Sequence, residues 1–121
     1  MARKAAFAVK RRNPRFSLMA AAEVMGSPDG MPAPAQLSEL SSRGCYVDTV
    51  SPVPIGTELR LRIHYGSGTC DLHGKVIYAH TGNGMGVSGM GVLFGKMAPE
   101  QRSAIDAWLV ELATEPASST L

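Results

Sequence analysis

Apolar and polar positions alternate most cleanly in one stretch of the chain. Leu59, Leu61, Ile63 and Tyr65 are separated by Arg60, Arg62 and His64. A period of two puts the apolar side chains on one face of a strand and the charged ones on the other, as in a half-buried antiparallel sheet. Gly66-Ser67-Gly68 then predicts a hairpin turn. Cys70, Leu72, Val76 and Tyr78 fall at even offsets on the return strand, with Gly74 where a bulge would fit. Upstream, Phe16 to Met25 predicts a strand, although its three alanines also suit a helix. Gly26 to Ala35 holds three prolines and two glycines and predicts a loop without regular structure. A second strand is expected from Leu37 to Leu40. Gly44 predicts a turn or bulge, and Cys45 to Thr49 a continuing strand. Ser51 to Gly56 reads as another turn, Gly82 to Gly86 as a glycine-rich loop, and Met90 to Phe94 as a last strand.

Near the C-terminus the period changes. Ile105, Trp108, Leu109 and Leu112 follow helical spacing. Pro99 fits the first turn, Glu100 suits its positive end, and Pro116 comes after the stop. Five to six short strands before one amphipathic helix predict a small barrel, with the helix over an end or an edge. The length, 121 residues, is that of one domain with a modest core.

Charge changes this picture. The whole chain carries +2, but its first fifteen residues hold Arg3, Lys4, Lys10, Arg11, Arg12 and Arg15 and no acid, leaving the remainder at −4. A basic arm on a mildly acidic body reads as an anion-binding segment from Arg11 onward, and as a solvated tail at Arg3 and Lys4. No run of 18 apolar residues would span a membrane. The N-terminus lacks the apolar stretch and small-residue cleavage site of a secretory signal. Cys45 and Cys70, each inside an apolar strand, are therefore expected as reduced, buried thiols.

Two short stretches carry the candidate chemistry. In Arg11-Arg12-Asn13-Pro14-Arg15, Pro14 excludes a helical reading at Asn13. The arginines could straddle a compact ligand, and a guanidinium bonds bidentately to phosphate or to guanine O6 and N7. In Glu39-Leu40-Ser41-Ser42-Arg43-Gly44, Glu39 and Ser41 share one side of an extended strand. A carboxylate there accepts from guanine N1–H and N2–H, the hydroxyl donates and accepts, and glycine admits close approach. The combination suggests an anionic guanine nucleotide. Taken singly, each stretch also fits a bland role: arginines paired with the acidic body, and an ordinary polar turn.

Other patterns lead nowhere. Gly84-Met85-Gly86-Val87-Ser88-Gly89 matches a dinucleotide fingerprint formally, but a strand follows it where a helix is required. His64, His73 and His80 with Cys70 fit no zinc spacing, and His64 and His73 are expected on the solvent face of a hairpin. Met85, Met90 and Met97 read as core filling or loop residues. A small barrel binding nucleic acid through the basic arm would bind any polyanion with steep salt dependence. Only 6% of residues are aromatic, which leaves few stacking platforms for single strands. No activated nucleophile or acid–base pair stands out, so an enzyme is not expected.

In order and spacing these motifs resemble the PilZ domain family, the bacterial cyclic di-GMP receptor module. Arg11 and Arg15 match its R-x-x-x-R, and Ser41 and Gly44 its [D/N]-x-S-x-x-G. Gly74-Lys75-Val76 and Gly89-Met90-Gly91-Val92-Leu93-Phe94 resemble its G-x-V and G-x-G-V-x-F strands. Glu39 departs from the family's Asp or Asn by one methylene. The resemblance implies an all-β fold: a six-stranded antiparallel β-barrel of split-barrel type with a C-terminal α-helix. It implies a domain over residues 10–113, a flexible basic arm over 1–9 and a disordered tail over 114–121. It implies cyclic di-GMP as ligand at Arg11, Arg12, Arg15, Glu39, Ser41, Gly44 and Gly91, with Lys10 influencing the number of nucleotides bound; Arg43, inside the second motif, suits either an extra phosphate contact or a solvent-facing position. No cofactor or metal, no nucleic acid and no membrane span are expected, and a cytoplasmic location is. The receptor would change conformation and signal to a protein partner in motility, secretion or polysaccharide synthesis. The alternative is a degenerate PilZ-fold adaptor that binds protein without the nucleotide.

Overall fold

The computed structural model describes residues 14–25, 31–50, 52–81 and 88–114. Arg11 and Arg12, the arm over 1–9, the Gly82–Gly86 loop, Met85 and the tail beyond Thr114 lie outside the described residues. Within them are six strands, β1 (Phe16–Met25), β2 (Ala33–Leu40), β3 (Gly44–Asp48), β4 (Glu58–Tyr65), β5 (Gly68–His80) and β6 (Gly89–Phe94). One helix follows, α1 (Pro99–Thr114). The strands close a barrel in the order β1-β2-β3-β6-β5-β4, and every pairing is antiparallel. No described helix is long and apolar enough to cross a membrane.

The alternation in β4 does what its pattern predicts. Leu59, Leu61 and Ile63 point into the barrel and Arg60 out. Tyr65 pairs with Gly68 across a two-residue loop. Gly66 takes a positive φ of 60° with Ser67 behind it, the form of hairpin turn that matches strand twist. The core fills with Leu37, Leu40, Val47, Leu72, Val76 and Met90, all under 2% exposed. Buried Cys45 and Cys70 are unpaired, and burial pushes both thiols above their usual pKa.

The helix caps one end of the barrel against β5 and β1. Ile105, Trp108 and Leu112 are its buried residues. Trp108 meets Tyr65 edge-on at 5.5 Å and lies where a Cβ on Gly68 would touch it. At the N-terminus Gln101 reaches back to accept from the Ala98 N–H at 2.6 Å, half of a capping box.

Three expectations are corrected. The second strand begins at Ala33, inside the stretch expected to be loop. Pro34 is tolerated because β2 pairs only with β1 at that point, and pairing with β3 starts at Gln36. The bulge in β5 falls not at Gly74 but between Val76 and Tyr78. It turns Tyr78 from the inner face, where even spacing put it, to the outer one. Thr114 belongs to the helix and not to the tail.

Gly74 is instead a packing requirement. A Cβ there would stand 2.5 Å from Val92 Cγ1 and 3.0 Å from the Leu93 carbonyl oxygen. Gly74→Ala should therefore cost about 1–3 kcal/mol through overpacking. Gly68→Ala, whose added carbon would sit at an ordinary 3.5 Å from Trp108, should cost clearly less. Urea denaturation of the two variants measures the difference.

Candidate functional site

One row of residues crosses five strands on the outside of the barrel. Ser17, Glu39, Tyr46, Gly91 and Tyr78 are successive cross-strand partners on β1, β2, β3, β6 and β5. Their neighbours Cys45, Val47, Met90 and Val92 point inward. Glu39 reaches this row because β2 has its own register shift between Leu37 and Glu39. The shift buries Leu37 and Leu40 and leaves Ser38 and Glu39 half-buried between them.

Arg15, just ahead of β1, arrives at the same end of the row. Its Nη1 lies 3.4 Å from Glu39 Oε1, with both side chains substantially exposed. An exposed pair of this length contributes about 0–1 kcal/mol, so a competing anion can draw the guanidinium away.

The β2–β3 turn forms the next wall. Ser41 is buried, and its hydroxyl serves the turn itself. It accepts from the Arg43 N–H at 3.3 Å and the Gly44 N–H at 3.2 Å, and it donates to the Gly44 carbonyl at 3.2 Å. The Ser41 N–H donates to the same carbonyl at 2.9 Å. This is local side-chain-to-backbone bonding that defines a turn. Gly44 is bare because a Cβ would collide with the Val92 carbonyl of β6. The turn is anchored from outside as well. The Phe94 N–H donates to the Arg43 carbonyl at 2.8 Å, and Arg102 of α1 donates to the Ser42 carbonyl at 3.0 Å while pairing with Asp106 at 3.1 Å.

These elements enclose a depression of about 160 Å³ whose walls include Arg15, Glu39, Arg43, Gly44, Tyr78 and Gly91. It is smaller than the roughly 300–1,000 Å³ typical of preformed small-molecule pockets. A larger concavity of about 660 Å³, flanked by Arg60, His73 and Lys75, contains none of the residues expected to contact the ligand. The candidate site follows the motif chemistry and not the larger volume.

Of the residues singled out from the sequence, Arg15, Glu39, Ser41, Gly44 and Gly91 all border this depression. Arg43 borders it too, exposed. Sequence reasoning missed Tyr46 and Tyr78. Their rings stand 6.0 Å apart, tilted by 32°. Burial, then the neighbouring Tyr78 and Asp48, raise the Tyr46 phenol above its usual pKa. For Tyr46 a signal existed, since it alternates with Cys45 and Val47. For Tyr78 the bulge erased it.

Elsewhere on the outer surface Arg62 bonds Asp71 at 2.8 Å, which lowers the Asp71 carboxyl pKa. His64 and His73 also face outward. Among the described residues no cluster of metal-ligating side chains is present.

Ser41→Ala removes an acceptor from two N–H groups at a buried position. It should lower stability by about 1–3 kcal/mol in ligand-free protein, read from the urea midpoint. A loss below a few tenths of that range would mean the hydroxyl does not hold the turn.

The PilZ domain family model matches residues 9–111, and the chain belongs to that family. No curated protein matches it. Solved structures share the fold. The PilZ domain of YcgR from Escherichia coli, a structure with c-di-GMP, superposes with a TM-score of 0.75 at 15% identity, over 92% of this chain and 97% of that one. The K. pneumonia MrkH–c-di-GMP complex gives 0.71 at 16%, over 85% and 51%. The Bacillus subtilis inhibitor of motility MotI gives 0.71 at 13%, over 88% and 53%. The chain thus spans nearly all of the YcgR domain and about half of the other two proteins.

Proposed function

We propose, from membership of the PilZ family and from the outer row of the barrel, that this chain is a cyclic di-GMP receptor. The observation that carries the reading is the meeting of Arg15, Glu39, Gly44 and Gly91 at one depression. Residues far apart in sequence converge there with complementary chemistry. A guanidinium suits phosphate or the guanine O6 and N7 edge. A carboxylate suits the N1–H and N2–H edge.

In this reading Arg15 exchanges Glu39 for the ligand, and Glu39 becomes free to accept from guanine. Arg11 and Arg12 supply further cations. Ser41 works through the turn, holding the Arg43 and Gly44 backbone in place. The depression is smaller than the nucleotide, so the arm closes over the ligand, and ordering it lowers affinity. Binding without chemistry is the role, and the cytoplasm is where a bacterial second messenger would be met. A protein partner in motility, secretion or polysaccharide synthesis would read the altered arm and surface.

The second reading is an adaptor that keeps the fold without the nucleotide. The extra methylene of Glu39, relative to the family's Asp or Asn, favours it. Calorimetric titration with cyclic di-GMP at about physiological salt separates the two, with GTP and a random oligonucleotide as controls. Saturable binding of cyclic di-GMP alone is expected, weakened more than tenfold by Arg11→Ala with Arg15→Ala. Absence of heat, with no shift in thermal stability, would leave the adaptor. Equal binding of the oligonucleotide, falling steeply with salt, would point to a polyanion binder.

A further inference from the structure

The larger concavity on the barrel, about 660 Å³, has a chemistry of its own. Two cross-strand rows supply its outward residues. In one, Met25, Arg60 and His73 are successive partners on β1, β4 and β5, and the Gly95 N–H donates to the His73 carbonyl at 2.8 Å. In the other, Glu58, Lys75 and Leu93 are successive partners on β4, β5 and β6. The first row ends at a glycine without a side chain. The second ends at Leu93, an apolar residue left 42% exposed.

Charges here are arranged differently from the rest of the outer surface. On the neighbouring row Arg62 stands between Glu23 and Asp71, 3.9 Å from one carboxylate and 2.8 Å from the other. Arg15 has Glu39, and Arg102 has Asp106. Arg60 has no carboxylate partner among the described residues. Its guanidinium donates to the Met25 thioether at 3.8 Å, a weak acceptor. Lys75 faces Glu58 across the strands, yet no ion pair joins them. Two exposed cations and the His73 imidazole thus surround a hollow with one carboxylate in its described lining.

The chain beyond residue 15 carries −4, so this hollow is a cationic spot on an acidic body. Such a spot attracts and orients an anionic partner. A polyphosphate backbone would meet the Glu58 carboxylate and gain nothing from Leu93. An acidic peptide with apolar side chains satisfies every wall, in the pattern of an apolar seat within a polar rim. Leu93 also walls the motif depression and stands opposite Gly44, so the two hollows share a ridge.

We propose that this concavity is the docking surface for an acidic segment of a protein partner, with Arg60 and Lys75 as its charge contacts, His73 as a further donor and Leu93 as its apolar seat. The inference deepens the partner step of the receptor reading. Its test needs no nucleotide, so the two fail separately.

A merely solvated cationic face is the competing explanation. The probe is a blocked acetyl-Glu-Leu-Glu-Leu-Glu amide, followed by amide-resolved NMR of the full chain, with the Lys-Leu counterpart as control. Saturable shifts are expected at Arg60, His73, Lys75 and Leu93 for the acidic peptide alone. Arg60→Gln with Lys75→Gln keeps the aliphatic stems and removes both charges. It should bind the peptide about three- to tenfold more weakly, at unchanged thermal stability and with the cyclic di-GMP affinity of wild type. No localised shift at about 1 mM peptide, or equal binding by the double variant, would overturn the docking surface. Inorganic phosphate giving the same shifts at the same affinity would replace it with a general anion site, and stronger binding to phosphatidylglycerol vesicles with a membrane-facing one. Peptide binding without any response to cyclic di-GMP would keep the docking surface and remove the receptor.

Discussion

A closed barrel gives each strand residue two places to go, inside or outside, and register decides which. Three shifts of register, in β1, β2 and β5, set that choice around the candidate site. Without the shift in β2, Leu37 and Leu40 would not both be buried and Glu39 would not be left beside them on the outer side. Without the shift in β5, Tyr78 would fill the core beside Val76. A one-residue slip moves a side chain to the opposite face, and bulges use that rule to aim individual residues. The core and the candidate site are two results of the same constraint. Val92 and Met90 close the inside while Gly91 and Gly89, between and beside them, keep the outside bare.

The turn after β2 ties this surface to the rest of the molecule. Ser41 holds it from within, β6 holds it through Phe94 and Arg43, and α1 holds it through Arg102 and the Ser42 carbonyl. Arg43 and Gly44 border the depression on one side of the turn, and Arg102 touches the other. A ligand that moves the turn therefore also acts on the hydrogen bond that anchors α1. That continuity gives a receptor a physical route from its binding face to a second surface.

Much of the fold was legible in the sequence, and the exceptions have physical causes. The β4 pattern, the Gly66 hairpin and the Trp108 helix rest on local periodicity and turn chemistry, which a sequence displays directly. The start of β2 was hidden because Pro32 and Pro34 read as breakers. Pro32 in fact precedes the strand, and Pro34 is tolerated because β3 is absent at that height, which is a tertiary fact. Tyr78 was misplaced because a bulge leaves no mark in the alternation. At the site, the motif spacing brought Arg15, Glu39, Ser41, Gly44 and Gly91 to one place. It did not reveal that the Ser41 hydroxyl turns inward, or that Gly44 is bare for the sake of the Val92 carbonyl. Those reasons lie in hydrogen bonds and strand contacts that only the folded chain contains.

The proposed nucleotide face is the outer row on β2, β3, β6 and β5. An amide-resolved NMR titration of the full chain with cyclic di-GMP tests it most directly. Saturable shifts are expected at Glu39, Arg43, Gly44, Tyr46, Gly91 and Tyr78, with a weaker response in α1 near Arg102. Shifts centred instead on Arg60, His73 and Lys75, in the larger concavity, would contradict it.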